Sequence, residues 1–127
     1  MPRHRILDNP KAIARLDRHS ARKVLLEFPG QCRAAQALTP IPPLPAASIR
    51  QVVISGMGGS AAGGDLLGAV SRDRLSVPLL VSREYTLPAF VGRESLVVSV
   101  SYSGTTEETL SSFRHALERN AVVAAVT

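Results

Sequence analysis

The sequence contains little of what marks a secreted or membrane-embedded protein. Its 127 residues include one cysteine, no tryptophan and only 4% aromatic residues. A single cysteine, Cys32, excludes an internal disulfide but leaves the redox compartment open; we expect a cytoplasmic protein. No apolar run approaches the roughly 18 residues of a membrane helix, and the first residues lack the apolar segment of a signal peptide. We therefore expect one globular domain with a core of Val, Leu and Ala.

Acidic residues are scarce only at the start of the chain. Residues 1–33 carry eight basic and three acidic side chains, whereas residues 34–127 carry seven of each. A basic segment can bind nucleic acid or an anionic membrane, but no recognition motif or aromatic-flanked basic stripe accompanies this one. Asp8, Asp17 and Glu27 also interrupt the arginines, which argues against a transit peptide. We expect solvated helix faces here, with neither nucleic acid nor membrane as a partner.

Residues 1–47 are predicted to form a helical lead-in followed by a proline-rich connector. Asp8-Asn9-Pro10 is typical of a helix start and predicts a short helix to about Arg18. A second helix is predicted from Ser20, with an interruption at Pro29-Gly30 and a continuation to Leu38.

The second lead-in helix is expected to present Val24, Leu25 and Phe28 on one face. Cys32 is expected to be a small buried packing group. The segment Thr39–Pro45 (TPIPPLP) is predicted to be a stiff extended connector, with a proline-recognition ligand as the alternative.

Residues 48–127 alternate between strand and helix patterns. The predicted strands are Gln51–Ser55, Val77–Val81, Ser95–Val100 and Ala121–Val126. The predicted helices are Ser60–Val70 and Thr106–Arg119, with a loop at Tyr85–Phe90 and an apolar helix face at Leu110, Phe113 and Leu117. Continuous apolar strands favour a parallel sheet covered on both faces. We expect a doubly wound, flavodoxin-like α/β fold with strand order 2-1-3-4. Because Thr127 ends the fourth strand, we also expect these residues to be part of a larger domain or to pair with a partner.

A glycine-rich turn follows the first predicted strand. Gly56–Asp65 (GMGGSAAGGD) places three glycines before Ser60, whose hydroxyl could cap the helix or bind a ligand oxygen. A turn made only for packing is one alternative. The pattern G-x-G-x-x-A, ending at Ala61, also fits a loose dinucleotide-binding fingerprint. That fingerprint needs an acid roughly 20 residues later, and Glu84 is too distant for a good match.

A hydroxyl-rich turn follows the third predicted strand. Ser101–Thr106 (SYSGTT) offers four serine and threonine hydroxyl donors and one glycine at a helix N-terminus, which is a favourable place for a phosphate. The alternative is a simple capping box formed by Thr105 and Glu108. Because loops that follow parallel strands meet at one edge of the sheet, the two turns predict a single pocket for a phosphorylated small molecule.

Four segments together resemble the sugar isomerase (SIS) domain, and in detail the bifunctional phosphoglucose/phosphomannose isomerases. They are GMGGS at 56–60, GGDLL at 63–67, REYTLPAFVG at 83–92 and SYSGTTEETL at 101–110. The lead-in segments DNPKAIARLD and EFPGQCRAA also resemble that family, so the likeness covers nearly the whole chain. One departure is Thr105, where the family usually has asparagine. The resemblance implies that residues 48–127 are the first part of an SIS domain with about four strands.

The resemblance implies an isomerase that interconverts glucose 6-phosphate or mannose 6-phosphate with fructose 6-phosphate, without metal or organic cofactor. The predicted binding residues are Ser60, Ser101, Ser103, Thr106, Gly58, Gly59 and Gly104. A phosphorylated hexose is the expected ligand, and a homodimer or association with the remainder of the domain is the expected assembly. A non-catalytic phosphosugar sensor and a dinucleotide-binding fragment are the alternative functions.

No residue of this chain is predicted to be catalytic. The resemblance implies that the carboxylate base and its His, Lys and Arg helpers lie outside these 127 residues. His4, His19 and His115 are expected to face solvent. Glu107 and Glu108 are expected to interact with the helix dipole, and Asp65 is at most an indirect contributor.

Overall fold

The computed structural model describes residues 8–38, 44 and 48–127, and the chain divides into two compact units, Met1–Pro42 and Pro43–Thr127. The predicted connector at 39–45 lies, apart from Leu44, outside the described residues, as does His4. The division into a lead-in with its connector at residues 1–47 and the first part of an SIS domain at residues 48–127 stays a prediction.

The first unit contains two helices, α1 (Pro10–Leu16) and α2 (Ala21–Gln36). Asn9 starts α1, because its side-chain oxygen accepts hydrogen bonds from the backbone N–H groups of Lys11 and Ala12 at 3.1 and 3.2 Å. The Asp17 carboxylate accepts bonds from the first two N–H groups of α2 at 2.6 and 3.0 Å. Both lead-in helices therefore begin with a side-chain cap, and both predicted starts are confirmed.

Two expectations for α2 are wrong. The helix is continuous through Pro29, although an interior proline removes one N–H group from the hydrogen-bond ladder. Cys32 is exposed rather than buried, and no residue of α2 is buried within the described chain. The apolar face that includes Leu25 and Phe28 is therefore exposed to solvent in the described structure.

The second unit is built on a four-stranded parallel sheet. Its strands are β1 (Gln51–Ser55), β2 (Leu79–Ser82), β3 (Ser95–Val100) and β4 (Val122–Val126). Their order is β2-β1-β3-β4, as predicted from the sequence. Strand β2 begins at Leu79, later than predicted, because Pro78 has no N–H group to donate to a neighbouring strand. The Pro78 carbonyl still accepts a hydrogen bond from the Val52 N–H of β1 at 2.9 Å.

Two helices cover opposite faces of this sheet, which confirms the doubly wound α/β class. Helix α3 (Gly58–Ser71) packs Gly64 against Ile54, whereas helix α4 (Glu107–Glu118) packs Ala116 in a cluster with Val53. Val53 and Ile54 are neighbours on one strand, so their side chains point to opposite faces. The cluster on the α4 face is completed by Leu87, Val91 and Val97, with Ala121 and Val123 beside it.

The buried face of α4 differs from the predicted one. Thr109, Ser112 and Ala116 are buried, whereas Leu110 and Leu117 are exposed. The small residues lie against the sheet because they let the helix backbone approach it closely. Phe113 is half-buried, and it lines a cavity beside β4 together with Leu110.

Candidate functional site

The two predicted turns lie at the same edge of the sheet, where the parallel strands end. The Gly56 N–H donates to the carbonyl of Ser82 at the end of β2, at 3.2 Å. A Cβ atom on Gly56 would lie 2.9 Å from the carbonyl oxygen of Val100, the last residue of β3. On the other side, the Ser101 N–H donates to the Val126 carbonyl at 3.0 Å. The glycine turn thus lies against the strand that leads into the hydroxyl turn.

The glycine turn (residues 56–60) leads directly into α3. Gly58 has a φ of +51°, and nothing lies within 4 Å of where a Cβ atom on Gly58 or Gly59 would stand. Ser60 is half-buried in the first turn of α3 and does not cap it, because Met57 occupies the N-cap position. The capping role that was one option for Ser60 is therefore wrong. The turn offers backbone and hydroxyl groups beside open space.

The hydroxyl turn (residues 101–106) is held by hydrogen bonds among its own side chains. The Ser101 Oγ accepts a bond from the Gly104 N–H at 3.1 Å and lies 3.1 Å from the Thr106 Oγ1. The Ser103 Oγ accepts from the Thr105 N–H at 3.2 Å and lies 3.4 Å from the Thr106 Oγ1. Gly104 has a φ of +69°, which favours glycine because it has no Cβ atom. Three predicted phosphate ligands are therefore hydrogen-bonded to one another through Thr106.

The capping-box alternative for this turn is wrong. The N-cap of α4 is Thr106 rather than Thr105, and its side chain makes no cap hydrogen bond. Its hydroxyl instead bonds within the turn.

The helices at this edge differ from the lead-in helices in how they begin. Among the described residues, no side chain caps the first turn of α3 or of α4, whereas Asn9 and Asp17 cap α1 and α2. The first N–H groups of a helix carry a partial positive charge and need an acceptor. Two helix starts of this kind at one edge form a favourable place for an anion.

The charged groups near the edge are mainly acidic or already paired. Glu107 and Glu108 lie in the first turn of α4, where they interact favourably with its dipole. The Glu108 carboxylate is the main cause that raises the pKa of Tyr85 above its ordinary value. Asp65 forms an ion pair with Arg83, so neither is a free charge. The described part of the chain contains no cluster of three His, Cys, Asp or Glu residues that could hold a metal ion.

Several polar features of the second unit could not be read from the sequence. His19 is exposed as expected, but His115 is half-buried and its Nδ1 accepts a bond from the Leu87 N–H at 3.1 Å. The expectation of a solvent-facing His115 is therefore wrong. Beside the hydroxyl turn lies a cavity of about 190 Å³, lined partly by Ser99 and Thr109. Their hydroxyls are buried and have no hydrogen-bond partner within the described residues. No periodicity in the sequence distinguishes these serines and threonines from exposed ones.

Comparisons with known proteins agree with this architecture. No protein-family model matches the chain. A bifunctional phosphoglucose/phosphomannose isomerase from Caldicellulosiruptor bescii is 48% identical over 82 residues, which cover 65% of this chain and 24% of that protein. A protein of the same name from Aquifex aeolicus is 46% identical over 69 residues, which cover 54% of this chain and 22% of that protein. The chain therefore aligns with roughly a quarter of the length of these curated relatives.

Solved structures give the same result for the fold. A candidate phosphosugar isomerase from Bacillus subtilis aligns with a TM-score of 0.52 and 26% identity, over 61% of this chain and 25% of its own. A second candidate phosphosugar isomerase, from Clostridium difficile, aligns with a TM-score of 0.56 over 82% of this chain and 28% of its own. Its sequence identity is 16%, so this match supports the fold alone.

The sheet order, the two turns and these matches together support an SIS-type α/β domain. Within that class, the sequence resembles the bifunctional phosphoglucose/phosphomannose isomerases, which confirms the resemblance seen in the four sequence segments. In the described chain, no helix is both long enough and apolar enough to cross a membrane.

Proposed function

We propose that this chain is the phosphosugar-binding part of an aldose–ketose isomerase that interconverts glucose 6-phosphate or mannose 6-phosphate with fructose 6-phosphate. The names of the matching relatives support the reaction class. The observation that carries the proposal is the pair of helix starts without side-chain caps, α3 and α4, at one edge of the sheet beside a hydroxyl-rich turn. A sugar phosphate supplies acceptors for these N–H groups, with its phosphate at the start of α4 and its sugar oxygens at the start of α3.

Each predicted binding residue has a role in this proposal. Ser101, Ser103 and Thr106 donate hydrogen bonds to the phosphate, and Gly104 lets the backbone bend around it. Ser60 contacts the sugar from the glycine turn, where Gly58 and Gly59 leave room for it. The hydroxyls that now bond to one another would exchange those bonds for bonds to phosphate oxygens, which are stronger because the acceptor is charged.

The chemical step needs groups that the described site does not contain. Moving a proton between C1 and C2 through an enediol requires a well-placed base. Among the described residues, the buried polar side chains are all serines and one threonine, with no carboxylate. We therefore propose that the chain alone binds the sugar phosphate but does not isomerise it. An enzyme-coupled assay that detects turnover by the purified 127-residue chain would contradict this part.

A calorimetric titration tests the binding part of the proposal. Fructose 6-phosphate is the ligand, and unphosphorylated fructose and NADH are the ligand controls. We expect Ser103→Ala to weaken fructose 6-phosphate binding about tenfold or more, because a hydrogen bond to a charged group contributes roughly 1.5–3 kcal/mol. Ser76→Ala is the matched control, because Ser76 is an exposed serine that precedes β2 at the opposite edge.

The controls also decide between the alternatives. Binding of NADH that Ser103→Ala leaves unchanged would instead support a dinucleotide site at the glycine turn. Equal effects of Ser103→Ala and Ser76→Ala on fructose 6-phosphate binding would show that the hydroxyl turn does not hold the phosphate.

A further inference from the structure

Four side chains with hydroxyl groups are buried between α4 and the two central strands. They are Ser55 on β1, Ser99 on β3, and Thr109 and Ser112 on α4. Ser55 and Ser99 are paired in register, so both lie on the face of the sheet that α4 covers. Buried hydroxyls need hydrogen-bond partners, and apolar residues of similar size would fill the space without that requirement. A polar contact at this place therefore needs an explanation beyond packing.

One direct hydrogen bond in this layer joins β1 to α4. The Ser55 and Ser112 hydroxyl oxygens are bonded to each other, and the Ser112 Oγ is also 3.0 Å from the Thr109 carbonyl oxygen, to which it donates. A serine hydroxyl has one proton, so Ser112 must accept the bond from Ser55. The result is a directed chain from Ser55 through Ser112 to the Thr109 carbonyl in the first turn of α4.

This chain of bonds lies directly beneath both turns of the candidate site. Ser55 is the residue before Gly56, where the glycine turn begins. Thr109 is three residues after Thr106, where the hydroxyl turn ends. The pairing of β1 with β3 fixes where the two turns begin, whereas the packing of α4 and this bond fix where the hydroxyl turn ends relative to the glycine turn. A hydrogen bond fixes distance and direction more narrowly than an apolar contact does.

We propose that Ser55 and Ser112 are positioning residues for the ligand site. Their hydrogen bond holds the start of α4 against the end of β1, so that the hydroxyl turn and the glycine turn contact the same ligand. The inference rests on the proposed function, in which a phosphorylated sugar touches both turns. The Ser55–Ser112 bond should therefore raise the affinity for a ligand that spans both turns. It should have little effect on the affinity for an anion that the hydroxyl turn holds alone.

The test compares two ligands across matched variants of the full chain. Fructose 6-phosphate spans both turns, whereas inorganic phosphate needs only the hydroxyl turn. We expect Ser112→Ala to lower fructose 6-phosphate affinity about tenfold and phosphate affinity less than about threefold. The control is Ser95→Ala, which removes a buried hydroxyl on the same strand face as Ser99 but at the amino end of β3. The Ser95 Oγ accepts bonds from the Gln51 Nε2 at 2.7 Å and the Gly92 N–H at 3.0 Å, away from the site.

Ser55→Ala is the second variant, because it leaves Ser112 bonded to the Thr109 carbonyl and orphans no hydroxyl. We expect it to fold and to lose affinity for fructose 6-phosphate selectively, and we expect the double variant to lose no more than Ser112→Ala does. If Ser55→Ala and Ser112→Ala behave like Ser95→Ala toward both ligands, the positioning role is refuted while the proposed function stands. If the unsubstituted chain binds neither ligand, the proposed function itself fails, and this inference with it.

Discussion

Replacing Gly56 with alanine tests the close approach between the glycine turn and β3. A Cβ atom at this position would lie 2.9 Å from the Val100 carbonyl oxygen and 3.2 Å from the Ser60 Cβ. The nearer contact is with backbone at the end of a central strand, which has little freedom to move. Overpacking of this kind costs about 1–3 kcal/mol of unfolding free energy. With a typical urea m-value, such a loss lowers the unfolding midpoint by about 1 M.

Gly59→Ala is the matched control in the same turn. Nothing lies within 4 Å of where a Cβ atom on Gly59 would stand, and the residue belongs to α3. We expect this variant to be as stable as the unsubstituted chain, or more stable by roughly 0.5–1 kcal/mol, because alanine favours helix over glycine. The assay is urea unfolding followed by far-UV circular dichroism. Equal midpoints for the two variants would refute the argument that the turn lies against β3.

Three further predictions follow from single contacts. Gly59→Ala is expected to weaken fructose 6-phosphate binding by calorimetry while preserving stability, because its methyl group enters the open space beside α3; unchanged affinity would place the ligand elsewhere. Glu108→Gln is expected to lower the raised pKa of Tyr85 toward its ordinary value, measured by tyrosinate absorbance near 295 nm with Tyr85→Phe to assign the signal. Because the pKa of Tyr85 is raised in the folded chain, the contribution of protonated Tyr85 to the free energy of unfolding is fully present below about pH 10. That contribution is lost as the pH rises through the folded-state pKa. His115→Leu removes the acceptor of the Leu87 N–H, so hydrogen exchange at that amide is expected to accelerate; unchanged exchange would show that the bond does not form in solution.

The order and type of the elements in the second unit could be predicted from sequence. Strands such as Gln51–Ser55 and Ser95–Val100 are short β-branched or apolar runs bounded by glycine or polar residues, and both have the predicted bounds. The position of the two turns at one edge follows from parallel pairing alone. In these strands, the sequence pattern of the segment and its place in the sheet favour the same structure.

The sequence-based predictions that are wrong concern burial and helix ends, which depend on the surroundings of each side chain. Pro29 is a local signal for a break, but the loss of one hydrogen bond does not end α2. Leu110 and Leu117 have helical spacing, yet α4 buries Thr109 and Ser112 instead, because close approach to the sheet selects small residues over large ones. The partner of the buried Ser112 hydroxyl is Ser55, which is 57 positions away in sequence.

The candidate site shows the same division. The hydroxyls and glycines of both turns could be identified from residue type and position. Which threonine occupies the N-cap position of α4 could not be predicted, because Thr105 and Thr106 are equally suited to it by residue type. Only the path of the backbone, with Gly104 at a φ of +69°, decides between them.

The most direct test of the central claim is a map of backbone amide chemical shifts during titration with fructose 6-phosphate. We expect the amides of residues 58–60 and 101–108 to shift together and to saturate with one dissociation constant, because one ligand would touch both helix starts. Shifts confined to one turn, or largest in the lead-in helices, would contradict a single phosphosugar site at the carboxyl edge of the sheet.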